Sequence, residues 1–311
     1  MENLALYFLW SGLTASAVSS LFYLIYVFQP KLVLIIGRTQ LHERAVTTES
    51  GDTDGITFPR SEGQRRVERS SSLAAMSSFS AVITVVLGGI GLTLRWISLD
   101  HAPYSNLFEF SMAFGFAIAL VYVGAERRLG SRVLGAFVMP ISFALFASSL
   151  AFPSAGQPVL VPALQSPTLL TIHVALMILA YASLAVAFGA AIMHIFQGSE
   201  GRRHIWLPTA ERCDQITYRS VLVGFPLLAI GVSLGALWAN DAWGRYWGWD
   251  PKETAALVTW LIFAVYLHTR GVRKLSGATG SWIVVVGFLA VLFTYLAVNL
   301  WISGLHSYAG V

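Results

Sequence analysis

Between Trp243 and Glu253 the chain reads WGRYWGWDPKE, which sets the rings of Trp243, Tyr246, Trp247 and Trp249 beside the carboxylate of Asp250. Flat π faces at this density can form a shelf for a large planar ligand, because rings pack well in offset and edge contacts and a pocket needs shaped apolar walls. The other reading is a membrane-interface belt, in which Trp and Tyr lie at headgroup level. Both stay open on these residues alone. Asp250 and Glu253 flank Pro251, a pattern that suits a helix start, so capping is their simplest role.

The histidines add a second chemistry. Neutral imidazole is a common axial ligand of haem iron, and the chain has seven histidines. His173 and His306 fall near the ends of two apolar stretches, on the side expected to carry the tryptophans, where they could grip a haem by both axial positions. The plainer alternative is a structural, hydrogen-bonded role. His268 lies fifteen residues beyond Glu253, roughly 22 Å deeper along a helix. An ionisable group at that depth points to function, or else snorkels beside Arg270, as His194 can do near another inner end. His42 and His204 fall in polar segments and are expected to be solvated. His101, in an outer loop, could contact a ligand or nothing. Arg95, Arg245 and Lys252 could pair with anionic groups such as haem propionates, or be rim charges.

The elements that must position these residues are membrane helices. Of 311 residues, 56% are hydrophobic and 12% charged, with a mean hydropathy of +0.66, which excludes an ordinary water-soluble surface. A crossing takes about 20 apolar residues. Eight such stretches begin near Leu6, Leu73, Leu107, Val133, Leu169, Val221, Thr254 and Ser281, which predicts an all-α integral membrane protein of about eight transmembrane helices.

The net charge of +4 comes from clusters between these stretches: Arg127, Arg128 and Arg132; Arg202, Arg203, Arg212 and Arg219; Arg270, Arg273 and Lys274. By the positive-inside rule these loops face the cytoplasm, which places both termini, and the tryptophan segment at 239–253, on the extracytoplasmic side. Residues 1–30 then form an N-terminal transmembrane helix, 31–72 a polar cytoplasmic flexible linker, and 73–311 the main transmembrane domain. The single cysteine, Cys213, rules out an intrachain disulfide or a CxxC motif, so any thiol chemistry uses a partner's thiols.

From WGRYWGWDPKETAALVTWLIFAVYLHTR, together with TIHVALMILAYASL and NLWISGLHSYAG, the chain resembles the CcsA (ResC) family of cytochrome c biogenesis proteins, within the WWD haem-handling superfamily. The resemblance covers roughly residues 75–311. It implies that His173 and His306 are the external haem iron ligands and that His268 is a transient ligand within the membrane, its mate supplied by a CcsB/ResB partner. Trp243, Trp247, Trp249 and Asp250 then belong to the haem-binding segment. It also implies a system II cytochrome c synthase (haem lyase) complex, in which haem b is presented to the CxxCH thiols of apocytochrome c for thioether formation. No catalytic acid or base is evident in the chain. The expected location is the plasma membrane of a bacterium, with a thylakoid membrane as the alternative. Two other functions remain: transport of haem or another amphipathic molecule without ligation, and a di-haem electron-transfer subunit in which His194 would join His268.

Overall fold

A computed structural model describes residues 1–47, 62–153, 164, 167–198, 204, 206–273, 277–302 and 304–306. Eight helices account for nearly all of them, and the described residues contain no strand: α1 (Glu2–Thr47), α2 (Glu62–Leu99), α3 (Leu107–Leu129), α4 (Gly135–Ser148), α5 (Pro167–Gln197), α6 (Ala210–Trp243), α7 (Pro251–Arg273) and α8 (Ala278–Leu300). Short 3-10 turns, Arg132–Leu134 and Ser149–Ala151, extend α4 at both ends. Seven stretches, all except α7, are long and apolar enough to cross a membrane. In α7 the apolar run is shortened by Lys252 and Glu253 at one end and by His268, Arg270 and Arg273 at the other, yet its 23 residues reach roughly 34 Å, enough to span. The chain is a multi-pass, all-α membrane protein.

The helices alternate in direction, which gathers the functional segments at one end. Glu2 lies 3.9 Å from Arg95, so the start of α1 meets the end of α2. The Arg-rich turns sit at the opposite end: Arg212 donates to the Leu129 carbonyl at 2.5 Å, and Arg270 makes a two-pronged pair with Asp214 at 2.5 and 2.6 Å. The arginine clusters thus gather at one end of the bundle, as the positive-inside rule expects of one membrane face. The main core is formed by inward faces of α3, α4, α5, α6, α7 and α8, with Leu184, Val186, Phe263 and Phe288 buried. A smaller cluster of Leu9, Leu92, Phe108, Met112 and Phe146 fastens α1 and α2 to α3 and α4.

Three elements run longer than the apolar pattern alone predicts. Helix α6 begins at Ala210, capped by Thr209, because its first turns carry their polar residues into protein contacts rather than lipid. Helix continues through Thr47 in α1 and resumes at Glu62 in α2. The expected linker is therefore helical on both flanks, and residues 48–61 lie outside the described residues.

Candidate haem-binding site

The site is assembled at the end opposite the arginines, from the start of α3, the start of α5, the end of α6, the start of α7 and the segment after α8. An open cavity of about 1100 Å³ lies between them, walled by Tyr104, Asn106, Phe110, His173, Met177, Tyr181, Trp238, Trp247, Lys252, Tyr295 and His306 among others. The mix of aromatic walls with a few polar groups is typical of a small-molecule pocket.

Helix α5 brings His173 to the cavity by packing tightly on α6. Gly231 and Gly235, one turn apart on α6, make room: a Cβ on Gly235 would lie 2.5 Å from His173 Cε1, and one on Gly231 would lie 2.8 Å from Met177 Sδ. Small residues at this spacing let two helix backbones approach. The approach allows the His173 Nδ1–H to donate to the Gly231 carbonyl at 2.6 Å. A carbonyl only accepts, so the proton is on Nδ1 and Nε2 carries the lone pair.

His306 is fixed by the tryptophan segment. Gly244, at φ 73°, ends α6, and Trp249 adopts a left-handed φ of 56°, uncommon for a bulky residue. This turn lets Gly248 N–H and Asp250 N–H both donate to Glu253, at 2.9 and 3.1 Å. Asp250 in turn accepts from Lys252 N–H at 3.1 Å, which completes a capping box around Pro251. The same carboxylate accepts Leu305 N–H at 2.6 Å and His306 Nδ1–H at 2.7 Å. Capping and site-building therefore coexist in Asp250, which is buried. Burial pushes its carboxyl up, but the His306 hydrogen bond and the two backbone donors outweigh it and leave the net shift downward. Burial lowers the His306 imidazole against the opposing pull of Asp250, so its neutral form is favoured. Both histidines thus carry Nδ1–H bonds that orient them, with Nε2 left as the basic nitrogen, the arrangement usual for metal-ligating imidazoles.

Trp238 ties the two rings together. It lies parallel to His173 with centroids 6.5 Å apart, 5.8 Å from the His306 ring, and edge-on to Trp243 at 4.7 Å. Trp243 buttresses His306 edge-on at 4.9 Å. Of the residues singled out in the sequence, His173, His306 and Trp247 face the cavity, while Trp243 and Asp250 support His306 from behind. Trp249 is 70% exposed and lies outside the cavity wall. His268 is not at this site: it is exposed near the inner end of α7, in line with the exposed Val258, Leu261 and Val265. His194 is buried against Ser281 at 3.0 Å, so it does not face the surface that His268 faces.

Among the candidate cations, Lys252 lines the cavity, and Arg245 folds over Gly248, where a Cβ would sit 2.9 Å from its Nε. Arg95 is not a rim charge. It is fully buried and paired with Glu109 at 2.9 Å, and Glu109 also accepts from Ser105 N–H and Oγ–H. Trp238 and the Gly231–Gly235 pair were missed in the sequence. A G-x-x-x-G spacing and a tryptophan five residues before Trp243 were the available signals.

Known proteins resemble this chain in sequence and in fold. The sequence model of the Cytochrome C assembly protein family matches residues 104–306, which takes in Asn106, His173, the tryptophan segment and His306. A cytochrome c biogenesis protein CcsA from Chlamydomonas reinhardtii is 38% identical over 83% of this chain and 76% of its own length. Another from Gloeobacter violaceus is 36% identical over 78% of this chain and 88% of its own. Among solved structures, a cytochrome c haem lyase CcmF superposes with a TM-score of 0.59 over 95% of this chain and 46% of that one, at 19% identity, and shares the fold. The chain belongs to the cytochrome c assembly protein family, on its CcsA branch.

Proposed function

We propose that the chain is the haem-presenting subunit of a system II cytochrome c synthase, holding haem b between His173 and His306. Its place in cytochrome c maturation follows from its family. The observation that carries the finer reading is the matched pair of imidazoles at one cavity, each held through Nδ1–H, to Gly231 and to Asp250, so that Nε2 is the iron-binding atom. Both rings pack beside Trp238, which restricts their motion as bis-histidine axial ligation demands.

In this reading haem is substrate. The chain's own work is to fix the iron, exclude water with its aromatic walls and leave an edge of the porphyrin open to an incoming apocytochrome c. Each CxxCH thiol then adds across one vinyl group, sulfur to one carbon and the thiol hydrogen to the other, so no oxidant is consumed. The substrate histidine replaces one of the two axial imidazoles, and product leaves. His268, on the exposed stripe of α7, would then meet a histidine of a CcsB/ResB partner at an inner haem station, a reading its exposure supports. The membrane is assigned as a bacterial plasma membrane, with a thylakoid membrane as the alternative.

The test is co-expression of the chain, a ResB-type partner and an apocytochrome bearing CxxCH in a host lacking other synthases. Haem that stays on the cytochrome after denaturation supports the reading. Haem bound by the complex with no covalent product would instead make the chain a transporter.

A further inference from the structure

Asn106 precedes α3 and caps it, its Oδ1 accepting Glu109 N–H at 2.9 Å. That bond fixes which way the amide faces. The amide nitrogen, Nδ2, then points away from the helix, and it has no hydrogen-bond partner although Asn106 is only 8% exposed and lines the cavity. A buried N–H pair left without an acceptor is unfavourable unless a ligand supplies one.

Among the described residues the cavity holds one other such atom, the Tyr181 hydroxyl, on a residue that is 4% exposed. Tyr181 lies eight residues past His173 on α5, roughly 12 Å deeper, against Phe114. A carboxylate at that depth would lose its hydration with no cation beside it. At Asn106 the situation is reversed. The start of a 23-residue helix favours negative charge, and Lys252 is the one lysine or arginine lining the cavity among the described residues.

Resting on the haem reading above, we propose that Asn106 Nδ2, with the α3 N-terminus and Lys252, forms a carboxylate subsite that binds one haem propionate. Propionates and vinyls occupy opposite edges of the porphyrin, so anchoring one propionate fixes how the ring is turned between His173 and His306. That rotation decides which edge is offered to the thiols.

Asn106→Asp tests this without removing the helix cap, since aspartate caps as well as asparagine but presents a carboxylate oxygen where Nδ2 stood. Haem and its dimethyl ester, which keeps the vinyls and loses both charges, are titrated into the detergent-purified complex with its partner, and absorption reports binding. Expected is a wild-type preference for haem that falls at least tenfold in Asn106→Asp, with ester affinity within about twofold of wild type. An unchanged preference in Asn106→Asp, or equal losses for both porphyrins, would overturn the subsite. A wild-type complex that binds neither porphyrin in a low-spin form would overturn the haem reading itself.

Discussion

Asp250 joins the tryptophan segment to the end of the chain by accepting the Nδ1–H of His306 at 2.7 Å. Because its two oxygens also take Lys252 N–H and Leu305 N–H, the carboxylate answers three donors. An amide has one accepting oxygen and would set an NH2 against a donor. Asp250→Asn should therefore lower haem retention by about 10–100-fold, the usual cost of losing a metal ligand's supporting partner. It should also cost about 1–3 kcal/mol of stability through unmet polar groups. Haem content after gel filtration and a thermal melt measure the two effects.

Gly235 is predicted to be intolerant of any side chain. An alanine Cβ would come within 2.5 Å of the His173 ring, so Gly235→Ala should displace His173 and turn a low-spin spectrum high-spin. Gly124, in α3, has open space around it, and Gly124→Ala should be neutral or stabilising by about 0.5–1 kcal/mol. The contrast separates a local clash from a general dislike of alanine in these helices.

Trp249 and Trp247 should part company. Trp249 is exposed and conformationally strained, so Trp249→Gly should leave haem binding within about twofold and stability unchanged or raised by about 1 kcal/mol, since glycine takes positive φ freely. Trp247 lines the cavity, and Trp247→Ala should weaken binding by about 1–3 kcal/mol through lost apolar contact. Parallel absorption titrations decide it.

The inner ion pair is predicted to serve stability alone. Arg270 and Asp214 are 18% and 13% exposed, and the guanidinium also lies 4.4 Å from the Tyr218 ring centroid. Asp214→Ala should cost about 1–3 kcal/mol, less than a fully buried pair because water still screens it, with the outer haem spectrum unchanged. Thermal melts of Asp214→Ala, Arg270→Ala and the double variant should show a coupling that the spectra lack.

Much of this was legible in the sequence, where a local pattern carried it. Apolar runs place the helices, arginine clusters mark one end of them, and the capping pattern D-P-K-E starts α7 at Pro251. His173 and His306 could be set on one face from helix alternation alone. What could not be read is what depends on partners distant in the chain. Arg95 was a free cation in the sequence and a buried partner of Glu109 in the fold. Trp249, indistinguishable by type from Trp247, turns outward because the left-handed turn at its own backbone swings its side chain away from the cavity. Asn106 carried a visible cap signature, but nothing local showed that its amide nitrogen would be buried and unanswered.

The most direct test of the central claim is the oxidised and reduced absorption spectrum of the complex purified with its partner, for wild type, His173→Ala and His306→Ala. Wild type should show low-spin haem, and each single variant haem that is lost or high-spin at the outer site, with the missing ligand restored by added imidazole. A wild type without haem, or spectra that neither substitution alters, would contradict it.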